Sequence, residues 1–151
     1  MLSMPSPVGR ILIKGAAEYI SAVMFTEEGA DSAEAPALLH TCARQLQEYF
    51  DKKRTVFDFP MQQPGTPFQQ TVWQQLTTIP FGETITYLAL AKRVGNVKSI
   101  RAVGTTNGKN NLAIVVPCHR VIGSGGALTG YAGGLWRKQW LLDHERGGLL
   151  F

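Results

Sequence analysis

Two cysteines, Cys42 and Cys118, are all that the 151 residues contain. That is too few for a disulfide framework, and no C-x-x-C pair offers the spacing of a zinc site, so free thiols in a reducing compartment are expected. No stretch approaches the roughly 18 to 20 consecutive apolar residues of a membrane span, and the opening "MLSMPSPVGR" lacks the basic-then-apolar order of a signal peptide. A cytoplasmic address with no membrane partner is the expectation. Low-complexity tracts and repeats of solenoid period are missing as well. Acidic residues are scarce in the second part of the chain: residues 1–63 hold six Lys/Arg against eight Asp/Glu, residues 64–151 nine against three. The second part is therefore suited to a polyanion such as nucleic acid, although a merely soluble basic face would give the same count.

What is present reads as an α+β chain. The segments "PVGRILIKG" and "YISAVMFTE" carry β-branched and apolar residues and are expected to form a small antiparallel sheet. "EEGADSAEAP" reads as a loop. From Ala37 to Phe50, Leu38, Cys42, Leu46 and Tyr49/Phe50 recur at helical spacing, with Cys42 as a small core hydrophobe. Charges and prolines from Asp51 to Pro67 mark a boundary, so residues 1–63 and 64–151 are expected to be separate lobes. In the second, Thr66 caps a helix with Pro67 at its first position and Phe68, Val72, Leu76 and Ile79 on one face, ending before Pro80. "TYLALAKRVGN" and "SIRAVGTTNGKN" then read as two helices joined by a turn at Gly95, the layout of a helix-turn-helix. At 100° per residue Ile100 and Val103 share one side of the second helix, and Arg101, Gly104, Thr105 and Gly108 the other. A basic residue on a side-chain-poor surface suits close approach to a nucleic-acid backbone, or helix packing through the glycines. The closing "LWRKQWLLDHE" is a helix expected to bury some of Leu135, Trp136, Trp140, Leu141 and Leu142, with Glu145 on the side of Leu141.

The chemistry concentrates in "IVVPCHRVIG". The run from Leu112 to Val116 reads as a buried strand, and Pro117 as the break that lets Cys118 and His119 work together rather than on opposite faces. A thiol is only a few per cent ionised at neutral pH, so a working Cys118 needs a base, and His119 with Glu145 as its orienting carboxylate supplies one. Asp143 is the second candidate for that carboxylate. Arg120 either anchors the turn or contacts phosphate.

"IVVPCHRVIG", preceded by "RAVGTTNGKN" and followed by "TGYAGG" and "RKQWLLDHE", resembles the O6-alkylguanine-DNA alkyltransferases, also called methylated-DNA–protein-cysteine methyltransferases, from about Thr66 to Glu145. The resemblance implies a ribonuclease H-like first lobe and a mostly helical, winged-helix-like second lobe. It also implies a protein consumed in one turnover: the Cys118 thiolate takes the alkyl group from O6 of guanine, with O4-alkylthymine as a further candidate substrate. By the same resemblance His119 acts through a water, Asn110 is a hinge asparagine and the Tyr87 hydroxyl stabilises the departing base. Val121 offers its carbonyl to the base, and Tyr131, Ala132 and Gly133 belong to the loop around it. Arg101 is the finger that replaces the flipped nucleotide, while Ala102, Gly104 and Thr105 border the minor groove. The partner implied is double-stranded DNA carrying O6-alkylguanine, bound by a monomer that could also assemble cooperatively along DNA, with no cofactor.

Three features depart from the family pattern. Asn111 follows Asn110 where proline is usual, Ala132 stands where many members have serine, and the first lobe offers only His40 and Cys42 as soft ligands, so no metal is expected. Two other functions compete with repair. A DNA-damage sensor of this fold lacks the cysteine, which is present here; a turning-over cysteine hydrolase would use Cys118, His119 and Glu145 but leaves Arg101 on its glycine-rich helix unexplained.

Overall fold

The computed structural model describes residues 1–29 and 34–147, which divide into two compact units between Gln63 and Pro64. Part of the loop expected from Glu27 to Pro36 lies outside the described residues. In the first unit β1 (Leu2–Met4), β2 (Arg10–Gly15) and β3 (Ile20–Thr26) pair antiparallel in that order. The sequence reading missed β1: three residues are too few to display an alternation, yet Leu2 and Met4 lie opposite Ile13 and Ile11. Ile11 and Ile13 are buried at the two-residue period of a strand, and Leu39, Cys42 and Leu46 of α1 (Ala37–Phe50) at helical period. Leu39, not the expected Leu38, takes the core position. Burial pushes the Cys42 thiol up to about 12, so this sulfur is a packing group rather than a nucleophile.

The second unit begins with α2 (Pro67–Leu76). Thr66 accepts from the Gln69 backbone N–H while the Gln69 side chain accepts from the Thr66 N–H, a reciprocal cap that fixes the helix start. The helix stops at Leu76, and a turn carries Ile79 into the core. β4 (Ile85–Thr86) leads into α3 (Tyr87–Val94), whose cap Thr86 accepts from Ala89 N–H and whose end is Gly95 at φ 108°, a left-handed conformation that glycine adopts without penalty. A 3-10 turn over Val97–Ser99 then opens α4 (Ile100–Gly108). α2, α3 and α4 pack on one another through Val72, Leu76, Leu90, Ala91 and Val103, and the Trp73 indole donates to the Thr106 carbonyl at 3.0 Å. α5 (Leu135–Arg146) completes the unit.

Two expectations are corrected. Leu112 to Val116 is buried but is not a strand: Ile114 sits at φ 72°, and Val115 and Val116 donate back to Ala113 and Leu112. A β-branched residue there costs about 1–3 kcal/mol, offset by complete burial of its side chain. The Asn110 side chain takes over the pairing a ladder would have supplied, accepting from Leu112 N–H and donating toward the Leu112 and Val116 carbonyls at 3.2 and 2.9 Å. Ile100 does not share the buried side of α4 with Val103; it is exposed. Of the five apolar candidates in α5, Leu141 and Leu142 are buried as expected, together with Lys138, His144 and Glu145, while Leu135 and Trp136 at its start face solvent. Among the described residues no helix is long and apolar enough to cross a membrane.

Candidate active site

Pro117 ends the coiled segment, and Cys118, His119 and Arg120 follow as a single 3-10 turn. Adjacent side chains of such a turn diverge by about 120°, not the 180° of a strand, so thiol and imidazole can serve one centre. All three residues are buried. After them Val121–Ile122 forms β5, which pairs parallel with β4 in the register Ile85↔Val121 and Thr86↔Ile122.

Glu145 reaches this turn from α5. Its Oε2 lies 2.6 Å from His119 Nε2, and Arg120 grips both oxygens, Nε to Oε1 at 2.7 Å and Nη2 to Oε2 at 3.1 Å. Gly82 N–H donates to Oε1 at 3.2 Å. Burial alone would raise the Glu145 carboxyl, but the hydrogen bonds and charges of His119 and Arg120 outweigh it and hold it well below the usual range. His119 is held below its ordinary 6.5, chiefly by burial and further by the charges of Arg120 and Lys138, against the opposing pull of Glu145. The imidazole is therefore neutral at pH 7, its Nε2–H donates to the carboxylate, and Nδ1 keeps a lone pair. Nδ1 is buried and meets no hydrogen-bond partner among the described residues. This is the geometry of a poised base.

Burial raises the Cys118 thiol, so the resting group is the protonated S–H; the Asn110 amide, 3.3 Å from Sγ, and the Lys138 charge act in the other direction. The Cys118 carbonyl accepts from Asn107 Nδ2 at 3.3 Å, which fastens the turn to α4. Asn110 thus touches the sulfur and the coil before it with one amide.

The same unit holds a cavity of about 470 Å³, whose lining includes none of Cys118, His119, Asn110 and Glu145. Tyr87 from α3, Arg101, Gly104 and Thr105 from α4, and Tyr131 and Ala132 from the glycine-rich loop all line it. So does Ile100, which the helical period sets on the side of Val103, opposite Arg101 and Gly104. Burial pushes the Tyr131 phenol up, and an ionised Cys118 would push it further in the same direction. A Cβ at Gly104 would stand 3.8 Å from the Tyr87 ring, an ordinary contact, and one at Gly108 would meet nothing within 4 Å. Helix packing therefore requires neither glycine, and the bare face of α4 opens on the cavity. Thr129 donates to the Tyr87 hydroxyl at 2.9 Å.

Cys118, His119, Glu145 and Asn110 come together in one cluster, and Tyr87, Arg101, Gly104, Thr105, Tyr131 and Ala132 in one cavity. Val121 is buried in β5, Ala102 is exposed but does not line the cavity, and the Gly133 carbonyl accepts from Arg137 at 2.8 Å, outside the lining. Sequence reasoning missed Lys138, a wholly buried amine that donates to the Thr129 carbonyl at 3.1 Å. Its spacing of three before Leu141 and seven before Glu145 on one helical face was the available signal. Asn107 was missed as well, and Arg120 was left undecided. Arg120 is an internal anchor: besides Glu145 it donates to the Ile79 carbonyl at 2.7 Å, and its burial removes it from phosphate.

Residues 67–147 match the family model described as 6-O-methylguanine DNA methyltransferase, DNA binding domain, and residues 3–63 match its ribonuclease-like domain. A methylated-DNA–protein-cysteine methyltransferase of Methanosarcina acetivorans is 45% identical over 147 residues, covering 93% of this chain and 94% of that protein. The constitutive methyltransferase of that name from Bacillus subtilis is 43% identical, covering 93% and 92%. The crystal structure of Mycobacterium tuberculosis OGT in complex with DNA superposes with a TM-score of 0.87 at 40% identity, covering 96% of this chain and 91% of that one.

Proposed function

The chain belongs to the 6-O-methylguanine DNA methyltransferase family, and we propose that Cys118 is its methyl acceptor, with His119 and Glu145 as the groups that ionise it. The protein is a DNA-repair methyltransferase that moves an alkyl group from DNA to its own cysteine. The observation that carries the assignment to Cys118 is the chain from Glu145 to a neutral His119 in the same turn as the thiol.

His119 Nδ1 takes the thiol proton, directly or through one water, and the thiolate attacks the alkyl carbon on O6 of guanine. The S–C bond forms as the C–O6 bond breaks, and the electron pair of that bond retires onto the base. Tyr87 donates a hydrogen bond to the ring as negative charge develops there, aided by backbone N–H groups of residues 130–134, while the Val121 carbonyl accepts from the exocyclic amine. A thioether is not hydrolysed by this site, so each molecule reacts once. A base in duplex DNA reaches the thiol only when flipped out, and Arg101 fills the gap it leaves while Ala102, Gly104 and Thr105 lie along the minor groove. O6-alkylguanine in double-stranded DNA is the substrate, a monomer is the reacting unit, and the cytoplasm is where it acts.

Incubation with a duplex containing O6-methylguanine tests this. Intact mass should rise by one methylene, peptide mapping should locate it on Cys118, and at most one equivalent should be transferred. Repeated turnover would instead indicate a hydrolase, and tight binding with unchanged mass a sensor. Arg101→Ala is expected to weaken binding to the lesion duplex about tenfold, within the range for loss of one arginine contact, with a smaller effect on undamaged duplex. Equal affinity of parent and variant in fluorescence anisotropy would remove Arg101 from the finger role.

A further inference from the structure

Glu145 is touched by two groups able to carry positive charge, His119 and Arg120, and one full positive charge is sufficient to balance a buried carboxylate. The two are not equivalent. A guanidinium does not release its proton in a protein, whereas an imidazole does so near neutrality. Arg120 also holds the better geometry: two donors span both carboxylate oxygens at 2.7 and 3.1 Å, a third nitrogen is tied to the Ile79 carbonyl at 2.7 Å, and the Phe81 ring lies 5.9 Å from the guanidinium carbon. His119 reaches one oxygen through one nitrogen.

We infer that Arg120 is a positioning residue that serves as the permanent counter-ion of Glu145 and thereby keeps His119 neutral, with Nδ1 free as a proton acceptor. Fixing the carboxylate also fixes the tautomer, because an oxygen saturated by Arg120 and His119 accepts Nε2–H and offers it no proton. The other charged or titratable groups around the imidazole are Lys138 from α5 and Cys118 in its own turn; the charge of a protonated Lys138 adds to the penalty on a charged His119, although burial lowers the lysine itself. Without Arg120, the imidazolium becomes the nearest cation for a buried carboxylate, and His119 protonates at neutral pH. The catalytic consequence rests on the reading of His119 as the base for Cys118; the charge assignment itself does not.

The test follows two readouts across pH in parent, Arg120→Gln and Arg120→Lys proteins: the titration of the His119 ring by NMR, simplified by there being only three histidines, and the single-turnover rate of methyl transfer. In Arg120→Gln the His119 midpoint is expected to rise by about one pH unit or more, and the acid limb of the rate to move with it. Transfer then falls about tenfold at mildly acidic pH yet stays within about threefold of the parent at alkaline pH. Arg120→Lys, which keeps the charge but loses the fork, should restore the parent midpoint. A merely structural role would lower the rate by the same factor at every pH. An unmoved His119 midpoint in Arg120→Gln overturns the inference. A raised midpoint with an unmoved rate profile upholds the charge assignment and removes His119 from the base role. If Arg120→Gln does not fold, citrulline at position 120 keeps the shape and hydrogen-bond donors without the charge, and the same midpoint decides.

Discussion

The Cys118→Ala protein is expected to bind a duplex carrying O6-methylguanine within about threefold of the parent affinity and to gain no mass from it. Loss of transfer should be complete, because the second unit holds no other thiol: the other cysteine lies in the first unit with its thiol pushed up to about 12, and Asn110 offers only an amide. Binding survives because the groups assigned to the DNA, Arg101, Gly104 and Thr105, belong to α4 and line the cavity without resting on Sγ. Stability should change little. Removing one buried heavy atom costs about 1 kcal/mol, as for a deleted methyl group, and the Asn110 amide keeps the Leu112 and Val116 carbonyls. Intact mass and fluorescence anisotropy on the same sample separate the two effects. Mass gained by the variant would move the acceptor elsewhere in the chain.

Glu145→Ala is expected to be the most destabilising substitution in the second unit. It leaves Arg120 buried with two unmatched donors and His119 with an unmatched Nε2–H, and removing one partner of a buried ion pair costs about 3–5 kcal/mol. Urea unfolding should show a reduced midpoint, and transfer should be lost with it. Loss of less than about 1 kcal/mol would mean that the cluster relaxes to admit water. The parent carries the same information in its pH dependence. The Glu145 carboxyl is depressed in the fold, so the unfolded chain takes up its proton first, near 4.5; the stabilisation is present above that value and is lost as pH falls toward the lower folded value. His119 is depressed too, so below about 6.5 the unfolded chain again binds the extra proton and stability declines. Acid unfolding that begins between these two values in the parent, and is flatter in Glu145→Ala, is the expected pattern.

The helices of the second unit were legible because their ends are encoded locally: Thr66 with Gln69, Thr86 with Ala89 N–H, and Gly95 as a stop each act within four residues. Cys118, His119 and Glu145 were legible because their chemistry is carried by residue type. What escaped reading depends on partners distant in sequence. The coil from Leu112 to Val116 has the composition of a strand, and only the side chain of Asn110 and the left-handed Ile114 divert it. Lys138 has the look of a surface residue until the Thr129 carbonyl is brought to its amine. Arg120 could not be assigned between phosphate and turn because its acceptors, Ile79 and Glu145, lie 41 and 25 residues away. Helical angle set Ile100 beside Val103, but at the first position of α4 it is exposed and lines the cavity, whose wall takes apolar side chains as readily as a core does.

The two-residue ladder between β4 and β5 works as a jig. Thr86, opposite Ile122, is followed at once by Tyr87, and Val121, opposite Ile85, stands three residues after Cys118. The span between the Cys118 turn and Tyr87, the two groups proposed to act on the base, is therefore gauged by main-chain pairing rather than by the fit of neighbouring side chains. A slip of one residue in that short ladder would shift Val121, and with it the turn that carries Cys118, against the start of the helix that carries Tyr87.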